Sequence, residues 1–277
     1  MTSQVPGTLF VVSTPIGNMG DFSFRAVEVL KSSAAVLAED TRHSRHLLDR
    51  YEIVTPLIPY HEHNEAKSIP RLIERLQGGE QLALISDAGT PLLSDPGARL
   101  VRAAVEAGIV VSPVPGASAL LAALVASGLE LDRFTFYGFL PRKGSDRRLA
   151  LAEVVALRHA TVIYEAPSRV ADTLAELAAA GAGDRETVVA RELTKQYEEL
   201  RRGTVAALAA YYHGAPPRGE VVIVIAGGTA PAGATEDELR SRAAELREQG
   251  HSPRDVAAAL ASEMGASRNL AYRLAHE

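Results

Sequence analysis

The segment 84–97 combines side chains and turns that are suited to binding a ligand. It carries two carboxylates, Asp87 and Asp95, with two prolines and two glycines that fix the backbone and leave polar groups facing outward. An apolar run at 81–85 precedes it, and a helical pattern at 98–107 follows it. Because open α/β sheets bind ligands at the carboxyl ends of parallel strands, we expect this loop to hold a ligand. A rigid turn without a ligand is the alternative interpretation.

Common cofactor signatures do not occur in the sequence. The segment 14–21 follows the first predicted strand and lacks the G-x-G-x-x-G pattern, and no G-x-x-x-x-G-K-[ST] sequence is present. These features argue against a dinucleotide Rossmann site and against a P-loop. His61, Glu62 and His63 follow a strand at successive positions, which turns both imidazoles to one side without an evident third ligand. We therefore expect no metal site.

Alternating strand and helix patterns position the loop 84–97. They predict an α/β fold with three regions: an N-terminal α/β domain at 1–116, a C-terminal α/β domain at 117–228, and a linker with a helical extension at 229–277. Some strands of the second domain are separated by loops rather than helices, so its sheet is expected to be mixed. Segments 141–148 and 192–202 are interpreted as a basic loop and a polar connection.

The C-terminal extension carries three sets of helix signals. Thr235 and Glu238 have the spacing of a capping box, Ser252 and Pro253 open a second helix, and Ser267 opens a short third one. The pattern is typical of a three-helix cluster and resembles a helix-turn-helix. Two interpretations remain open: a nucleic-acid contact through its arginines, or a small helical appendage.

Composition limits the class of protein. The chain has 277 residues, 47% of them hydrophobic, which is enough to bury a sizeable core. Its net charge of −5 means that any nucleic acid must be met by local basic patches. The absence of cysteine excludes disulfides and thiol nucleophiles. No secretory signal or membrane-spanning run is evident, so we expect a cytoplasmic protein.

Six motifs, taken in order along the chain, resemble one family of enzymes. They lie at 12–21, 38–43, 86–97, 115–119, 138–143 and 164–169, and segments 191–195, 198–199 and 203–204 extend the match. Together they resemble the ribosomal RNA small subunit methyltransferase I family of the tetrapyrrole methylase superfamily. The resemblance covers essentially the whole chain. Ser13 and Met19 stand where Ala and Leu are more usual, and both changes are nearly isosteric.

This resemblance implies a two-domain tetrapyrrole methylase-like fold, distinct from the Rossmann fold, with S-adenosylmethionine in the cleft between the domains. The implied reaction is methylation of the ribose 2′-hydroxyl of a cytidine in the decoding region of 16S rRNA. The implied partners are 16S rRNA or the small ribosomal subunit, and a second copy in a homodimer. The alternatives are a methylase of the same fold acting on a tetrapyrrole or a protein, and a nucleic-acid-binding regulator.

The resemblance also implies the residues that contact the methyl donor. The segment 89–91 occupies the place of a Gly-Asp-Pro turn, so Thr90 replaces a carboxylate and Asp87 is expected to supply the charge near the sulfonium. Carbonyls and carboxylates suit that cation, while amides at a helix N-terminus suit the donor's carboxylate. The expected donor-binding residues are Pro15, Asp87, Ala88, Gly89, Thr90, Ser94, Ser118, Ala119, Tyr164 and Ala166.

Methyl transfer to a hydroxyl needs a positioned oxygen and a group that takes its proton. The candidates for that group are Asp40, Glu165, Glu192 and Lys195, each of which can instead be a loop cap or an ion-pair partner. RNA phosphates need cations, and the densest basic cluster lies at 141–148. A solvated loop of mixed charge is the alternative there. The expected RNA-binding residues are Arg42, Arg142, Lys143, Arg147, Arg148 and Arg191.

Overall fold

The computed structural model describes residues 6–228 and 234–277. These residues form two compact units, the first ending at Ala226 and the second beginning at Gly227. Most of the predicted linker, at 229–233, lies outside the described residues. The division of the first unit into domains at 1–116 and 117–228 stays a prediction.

A parallel five-stranded sheet forms the N-terminal part of the first unit, in the order β3-β2-β4-β1-β5. The predicted α/β alternation is confirmed. The strands are β1 (Thr8–Val12), β2 (Ala35–Ala38), β3 (Leu57–Pro59), β4 (Leu82–Leu84) and β5 (Val110–Val114). The helices are α1 (Phe24–Ser32), α2 (Thr41–Arg50), α3 (Glu65–Gln77) and α4 (Ala98–Glu106).

Helices cover both faces of this parallel sheet, as burial of its backbone requires. Val36 and Ala83 belong to the apolar cluster that includes Leu30 of α1, while Leu37 and Leu82 belong to the cluster that includes Leu76 of α3. Successive residues of one strand therefore enter opposite cores. This explains why the strands appear in the sequence as continuous apolar runs.

A second five-stranded sheet has the order β6-β7-β10-β8-β9. Strands β6 and β7 are parallel and the remaining pairs are antiparallel, which confirms the predicted mixed sheet. The strands are β6 (Phe134–Phe139), β7 (Ala160–Glu165), β8 (Glu186–Arg191), β9 (Glu199–Thr204) and β10 (Val221–Ile225). The helices are α5 (Ala119–Ser127), α6 (Gly144–Ala156), α7 (Val170–Leu177) and α8 (Val205–Gly214). Short 3-10 turns at Met19–Asp21 and Pro167–Arg169 and a π-turn at Ala178–Ala182 complete the unit.

Two sequence interpretations in this region are wrong. The segment 192–202 contains the start of β9, an edge strand whose charged side chains hide the alternating pattern of a half-buried strand. The segment 141–148 is not a single loop, because α6 begins at Gly144 and includes Arg147 and Arg148. Asp146 in the first turn of α6 favours this earlier start through the helix dipole.

The second unit is the predicted three-helix cluster: α9 (Glu236–Glu248), α10 (Pro253–Met264) and α11 (Arg268–His276). Thr235 and Glu238 form the capping box reciprocally, and Ser252 and Ser267 cap the next two helices. Arg273 pairs with Glu236 at 2.9 Å within this unit. In the part of the chain that the structure describes, no helix has the length and apolarity to cross a membrane.

Candidate active site

A cavity of about 500 Å³ opens within the first unit, between its two sheets. The loops after β1, β2, β4 and β7 contribute to its wall, together with the last residue of β6, the start of α5 and the start of β10. Carboxyl ends of strands from both sheets therefore meet at one place, as expected for ligand sites in α/β proteins. The segment 84–97 supplies more lining residues than any other part of the chain.

Backbone and hydroxyl contacts fix the near end of this loop. Thr14 and Gly89 exchange backbone hydrogen bonds of 2.9 and 3.1 Å, which joins the loop after β1 to the loop after β4. Thr90 donates its hydroxyl to the carbonyl of Ala117 at 3.1 Å and lies 3.1 Å from the hydroxyl of Ser13. Thr90 thus connects three loops, and a carboxylate in its place would lose the donated bond.

A buried carboxylate fixes the far end of the same loop. Glu65 Oε1 accepts from the Tyr60 hydroxyl at 2.8 Å and from the backbone amide of Gly97 at 3.2 Å, where α4 begins. Between the two anchors, Leu92 and Ser94 have φ values of 74° and 73°, which are unfavourable for residues with a Cβ. The surrounding contacts hold the loop in a strained conformation, as is common in ligand-binding segments.

Three carboxylates face the cavity without a basic partner among the described residues: Glu39, Asp87 and Asp95. Burial raises the pKa of Glu39, and the charge of Asp87 raises it further. Burial is also the main cause that raises the pKa of Asp95 to about 6, and the charge of Glu39 adds to this effect. The carboxyl of Asp95 is therefore half protonated near pH 6, above the usual range of an aspartate.

Glu165 is the most completely buried acid of the cavity wall. Its oxygens accept from the Thr173 hydroxyl at 2.6 Å and from the amide of Ala166 at 2.9 Å, and Arg169 lies 3.3 Å away. Thr173 also accepts from Arg147 at 2.9 Å. Because its oxygens are engaged on several sides, Glu165 is suited to positioning neighbours rather than to taking a proton.

The start of α5 closes another side of the cavity. Ser118 caps the helix, and the amide of Leu120 donates to the Tyr164 hydroxyl at 3.2 Å. The hydroxyl of Tyr164 accepts in this bond and keeps its own hydrogen for a second partner. Amides and a hydroxyl at a helix N-terminus suit a carboxylate or another electron-rich ligand group.

The structure brings together most of the residues that were predicted to bind the donor. Pro15 is not among the lining residues, and its neighbour Ile16 lies there instead. That the others contact the donor stays a prediction. The predicted residues that line the cavity are Asp87, Ala88, Gly89, Thr90, Ser94, Ser118, Ala119, Tyr164 and Ala166.

Of the four candidates for the proton acceptor, only Glu165 lines the cavity. Asp40 caps α2, and hydrogen bonds from the amides of Arg42 and His43 lower its pKa, so it is a poor base. Glu192 and Lys195 pair at 2.9 Å, and the Lys195 ammonium also bonds Glu220 at 3.0 Å.

The ion pair between Glu192 and Lys195 shifts the pKa values of both groups away from the range of a general base. The bond from Lys195 is the largest cause that lowers the pKa of Glu192. Burial alone would lower the pKa of Lys195, but its bonds to Glu192 and Glu220 outweigh that effect and raise it. Neither group is therefore poised to accept a proton near neutral pH.

The six predicted RNA-binding cations separate into exposed and engaged groups. Arg142, Lys143 and Arg148 are exposed beside a second groove of about 740 Å³, which we call the basic groove. Arg147 lines the same groove but is buried and pairs with Glu176 at 2.6 Å, so its expected role as a surface cation needs correction.

The two remaining cations lie outside both cavities. Arg42 is 93% exposed and lies 3.6 Å from Asp40. Arg191 pairs with Glu199 at 2.7 Å. Arg42 is therefore open to a phosphate, whereas Arg191 already has a carboxylate partner.

Sequence reasoning missed several residues of the cavity wall, above all Glu39, Asp95, Phe139 and Glu220. Glu39 and Asp95 stand inside motifs that carry the resemblance, next to residues that were selected. The signal for Glu39 was an acidic side chain just after a buried strand, and the signal for Asp95 was its place in the loop 84–97. Phe139 and Glu220 gave no such signal, because their positions depend on how two sheets face one another.

Solved structures with the same fold are methyltransferases and a synthase. Uroporphyrin-III-C-methyltransferase from Thermus thermophilus has a TM-score of 0.57 at 21% identity, covering 79% of this chain and 94% of that one. A diphthine synthase has a TM-score of 0.61 at 16% identity, covering 80% and 90%. The family model of tetrapyrrole (corrin/porphyrin) methylases matches residues 8–209. Fold and family model define the chain as a methylase of the tetrapyrrole class.

Three relatives indicate a particular family within this class. Each of them bears the name ribosomal RNA small subunit methyltransferase I. The Pseudomonas aeruginosa relative is 48% identical over 97% of this chain and 96% of its own length, and the Synechocystis relative 43% over 98% of both. The Bacillus subtilis relative is 46% identical over 80% of this chain and 75% of its own length. The chain therefore belongs to the ribosomal RNA small subunit methyltransferase I family.

Proposed function

We propose that this protein transfers a methyl group from S-adenosylmethionine to the ribose 2′-hydroxyl of a cytidine in the decoding region of 16S rRNA. The names of the relatives support a small-subunit RNA substrate. A Thermus thermophilus structure of the same fold, 17% identical with a TM-score of 0.57, is described as complexed with S-adenyl homocysteine. The homodimer that the resemblance implies stays a prediction.

The observation that carries this proposal is the charge of the cavity. Five carboxylates line it, and no lysine or arginine side chain belongs to the described lining residues; the acids are Glu39, Asp87, Asp95, Glu165 and Glu220. Such a cavity favours a cation over a phosphate. S-adenosylmethionine carries a sulfonium and an ammonium, so the side chains present fit this donor.

The bound donor supplies a methyl group on a cationic sulfur. Glu39 and Asp87 favour the charge of that sulfur. The amides of Leu120 and Leu121 are already bonded to Tyr164 and Ser118, so the Tyr164 hydroxyl and the dipole of α5 are what suit the donor's carboxylate. The loop 84–97 is held rigid at both ends, which favours a preorganised site. The chain thus contributes electrostatic fit and orientation.

The remaining requirement is a proton acceptor for the ribose hydroxyl, and we assign it to Asp95. Its carboxyl lies in the cavity wall with no basic partner among the described residues, and its pKa of about 6 leaves it mostly ionised at neutral pH. A base works best when its pKa lies near the working pH. Asp95 meets this condition better than Asp40, whose pKa is lowered, or Glu165, whose oxygens are engaged.

The exposed cations lie outside the acidic cavity, where the phosphates of an RNA strand would run. Arg142, Lys143 and Arg148 border the second groove, and the acidic lining is confined to the first cavity. This separation lets one surface attract RNA while the cavity attracts a cationic donor.

We expect labelled S-adenosylmethionine to methylate small ribosomal subunits that lack the modification, with the label in the ribose of one cytidine. Calorimetry measures donor binding by the full chain, and nuclease digestion with mass spectrometry locates the label. Mature, already modified subunits are the matched control and should accept no label. Label in a base, in ribosomal protein or in a tetrapyrrole would contradict the proposed substrate, and absence of donor binding would contradict the proposed enzyme.

A further inference from the structure

An aromatic ring stands half-exposed at the rim of the acidic cavity. Phe139 lines the cavity, yet 56% of the residue is exposed to solvent. Its ring meets Tyr164 edge to face, with centroids 5.8 Å apart. Exposure alone is common for single apolar side chains, so the informative feature of Phe139 is its place at the rim of the cavity, where an open aromatic face can meet a ligand.

An irregularity in β6 directs this ring toward the cavity. Phe136 pairs with Val162 of β7, but Gly138 pairs with Ile163 and Phe139 with Tyr164, so the register shifts by one residue. Without the shift, Phe139 would pair with the next residue along and lie on the opposite face of the sheet. Bulges of this kind re-aim side chains beside active sites.

Gly138 makes the bulge compatible with the loop 84–97. Its φ of +63° is favourable only for glycine, and a Cβ at this position would lie 2.7 Å from the Ser94 hydroxyl oxygen. Glycine at this position therefore permits both the bulge and the close approach of β6 to the loop 84–97. The orientation of Phe139 is built into the same contact that shapes the cavity.

We propose that Phe139 is the stacking platform for the base of the target nucleotide when RNA is bound. This inference rests on the proposed function and adds the residue that holds the substrate base. Proteins that recognise single-stranded RNA splay bases out and stack them on aromatic rings. The open face of Phe139, next to a cavity that takes the reacting ribose, offers such a surface.

The segment after Phe139 explains why an RNA base suits this ring better than part of the donor. Arg142 and Lys143 follow three and four residues later and are exposed along the basic groove. Aromatic rings for stacking, combined with cations for the phosphate backbone, are the common arrangement for single-stranded nucleic acids, and here the two are close along the chain. The donor carries no phosphate, and its carboxylate is assigned to the start of α5, where none of these cations lines the cavity.

The spacing between platform and cations is fixed by buried contacts. Arg147 donates to the Pro141 carbonyl at 3.1 Å, and Arg169 donates to the Leu140 carbonyl at 3.1 Å. Both arginines are in turn connected to Glu165, directly or through Thr173. Buried Arg147 thus supports the exposed basic segment from below. A preordered surface loses less entropy when RNA binds.

The test compares Phe139→Ala, Phe139→Leu and Phe139→Tyr in the full chain. Removing a stacking ring weakens single-strand binding by roughly 5- to 150-fold. We expect KM for small subunits to rise within that range for Phe139→Ala, and less for Phe139→Leu. Phe139→Tyr should remain close to the wild type, because it keeps the ring. The affinity for S-adenosylmethionine, measured by calorimetry, should change less than about 2-fold in all three variants, since stacking acts on the base.

A fluorescent cytidine analogue at the target position gives a readout independent of turnover. Its emission should fall when wild-type protein and donor bind a single-stranded RNA fragment, and should not fall with Phe139→Ala. Phe24→Ala is the matched control, because Phe24 is 91% exposed and does not line the cavity. Circular dichroism confirms that each variant is folded.

The possible outcomes distinguish a failure of the stacking proposal for Phe139 from a failure of the proposed function. An active wild type with equal KM and equal quenching in Phe139→Ala overturns the platform alone. Weakened donor binding in Phe139→Ala with unchanged RNA affinity also overturns it, because the ring would then pack on the donor. A wild type that neither binds the donor nor methylates RNA overturns the proposed function itself.

Discussion

Replacing Asp95 with asparagine is expected to lower kcat for methyl transfer by roughly 10²- to 10⁴-fold, the usual contribution of a positioned general base. The amide has nearly the shape of the carboxylate but cannot accept the hydroxyl proton. KM for small subunits should change little, because Asp95 does not belong to the basic groove. Single-turnover transfer from labelled donor, under saturating RNA, measures the loss directly.

The pH dependence of the wild type provides a second signature. Burial raises the pKa of Asp95 to about 6, so the base is protonated below this pH and the rate should fall tenfold per pH unit there. Glu39→Gln removes a charge that raises this pKa, and should move the acidic limb to lower pH. In Asp95→Asn, the residual rate should no longer fall with decreasing pH in this range.

As pH rises through the pKa of Asp95, the stabilising effect of this group is expected to fall while the rate of methyl transfer rises. The folded state binds the Asp95 proton more tightly than the unfolded chain, so this group loses stabilising effect as pH rises from about 4 to about 6. At neutral pH the asparagine variant should therefore be at least as stable as the wild type. Asp184→Asn, at an exposed position on the surface, is the control and should alter neither property. An Asp95→Asn enzyme that keeps full kcat would exclude Asp95 as the base.

Local patterns in the sequence were sufficient for most of the fold. Strands that are buried on both faces appear as apolar runs, and helix caps such as Thr235 with Glu238 have their own spacing. Edge strand β9 was not predicted, because Arg201 and Arg202 interrupt the alternation of apolar and polar residues that is typical of a half-buried strand. Patterns of this kind report burial, and an edge strand is only partly buried.

The candidate site was less accessible to sequence reasoning, for a physical reason. Residues at the ends of strands, such as Asp87 and Glu165, can be selected because the sheet brings strand ends together. The burial of Arg147 and the rotation of Phe139 depend on a helix start and a one-residue bulge, which weakly patterned segments do not reveal. Likewise, the raised pKa of Asp95 depends first on its burial and then on the charge of Glu39, which lies in the loop after β2.

Glu165→Ala is expected to lower the free energy of unfolding of the first unit by about 3 kcal/mol, near the lower bound for breaking a buried charged pair. The wild-type side chain is completely buried, while its partner Arg169 is 22% exposed, which moderates the loss. The substitution also leaves the Thr173 hydroxyl and the Ala166 amide without their acceptor. Urea denaturation followed by circular dichroism measures the effect, because the chain contains no tryptophan.

Glu165→Gln separates the charge from the hydrogen bonds, since the amide retains one acceptor oxygen, and should cost about half as much. Glu130→Ala, an exposed acid, should stay within about 0.5 kcal/mol of the wild type. Hydrogen exchange in peptides from α7 and from 140–143 should accelerate in Glu165→Ala, because Arg147 and Arg169 hold that segment through Glu165. Unchanged stability and exchange would show that the two arginines hold the segment 140–143 without Glu165. Accelerated exchange confined to these segments would instead show that the Glu165 carboxylate structurally connects the acidic cavity to the basic groove.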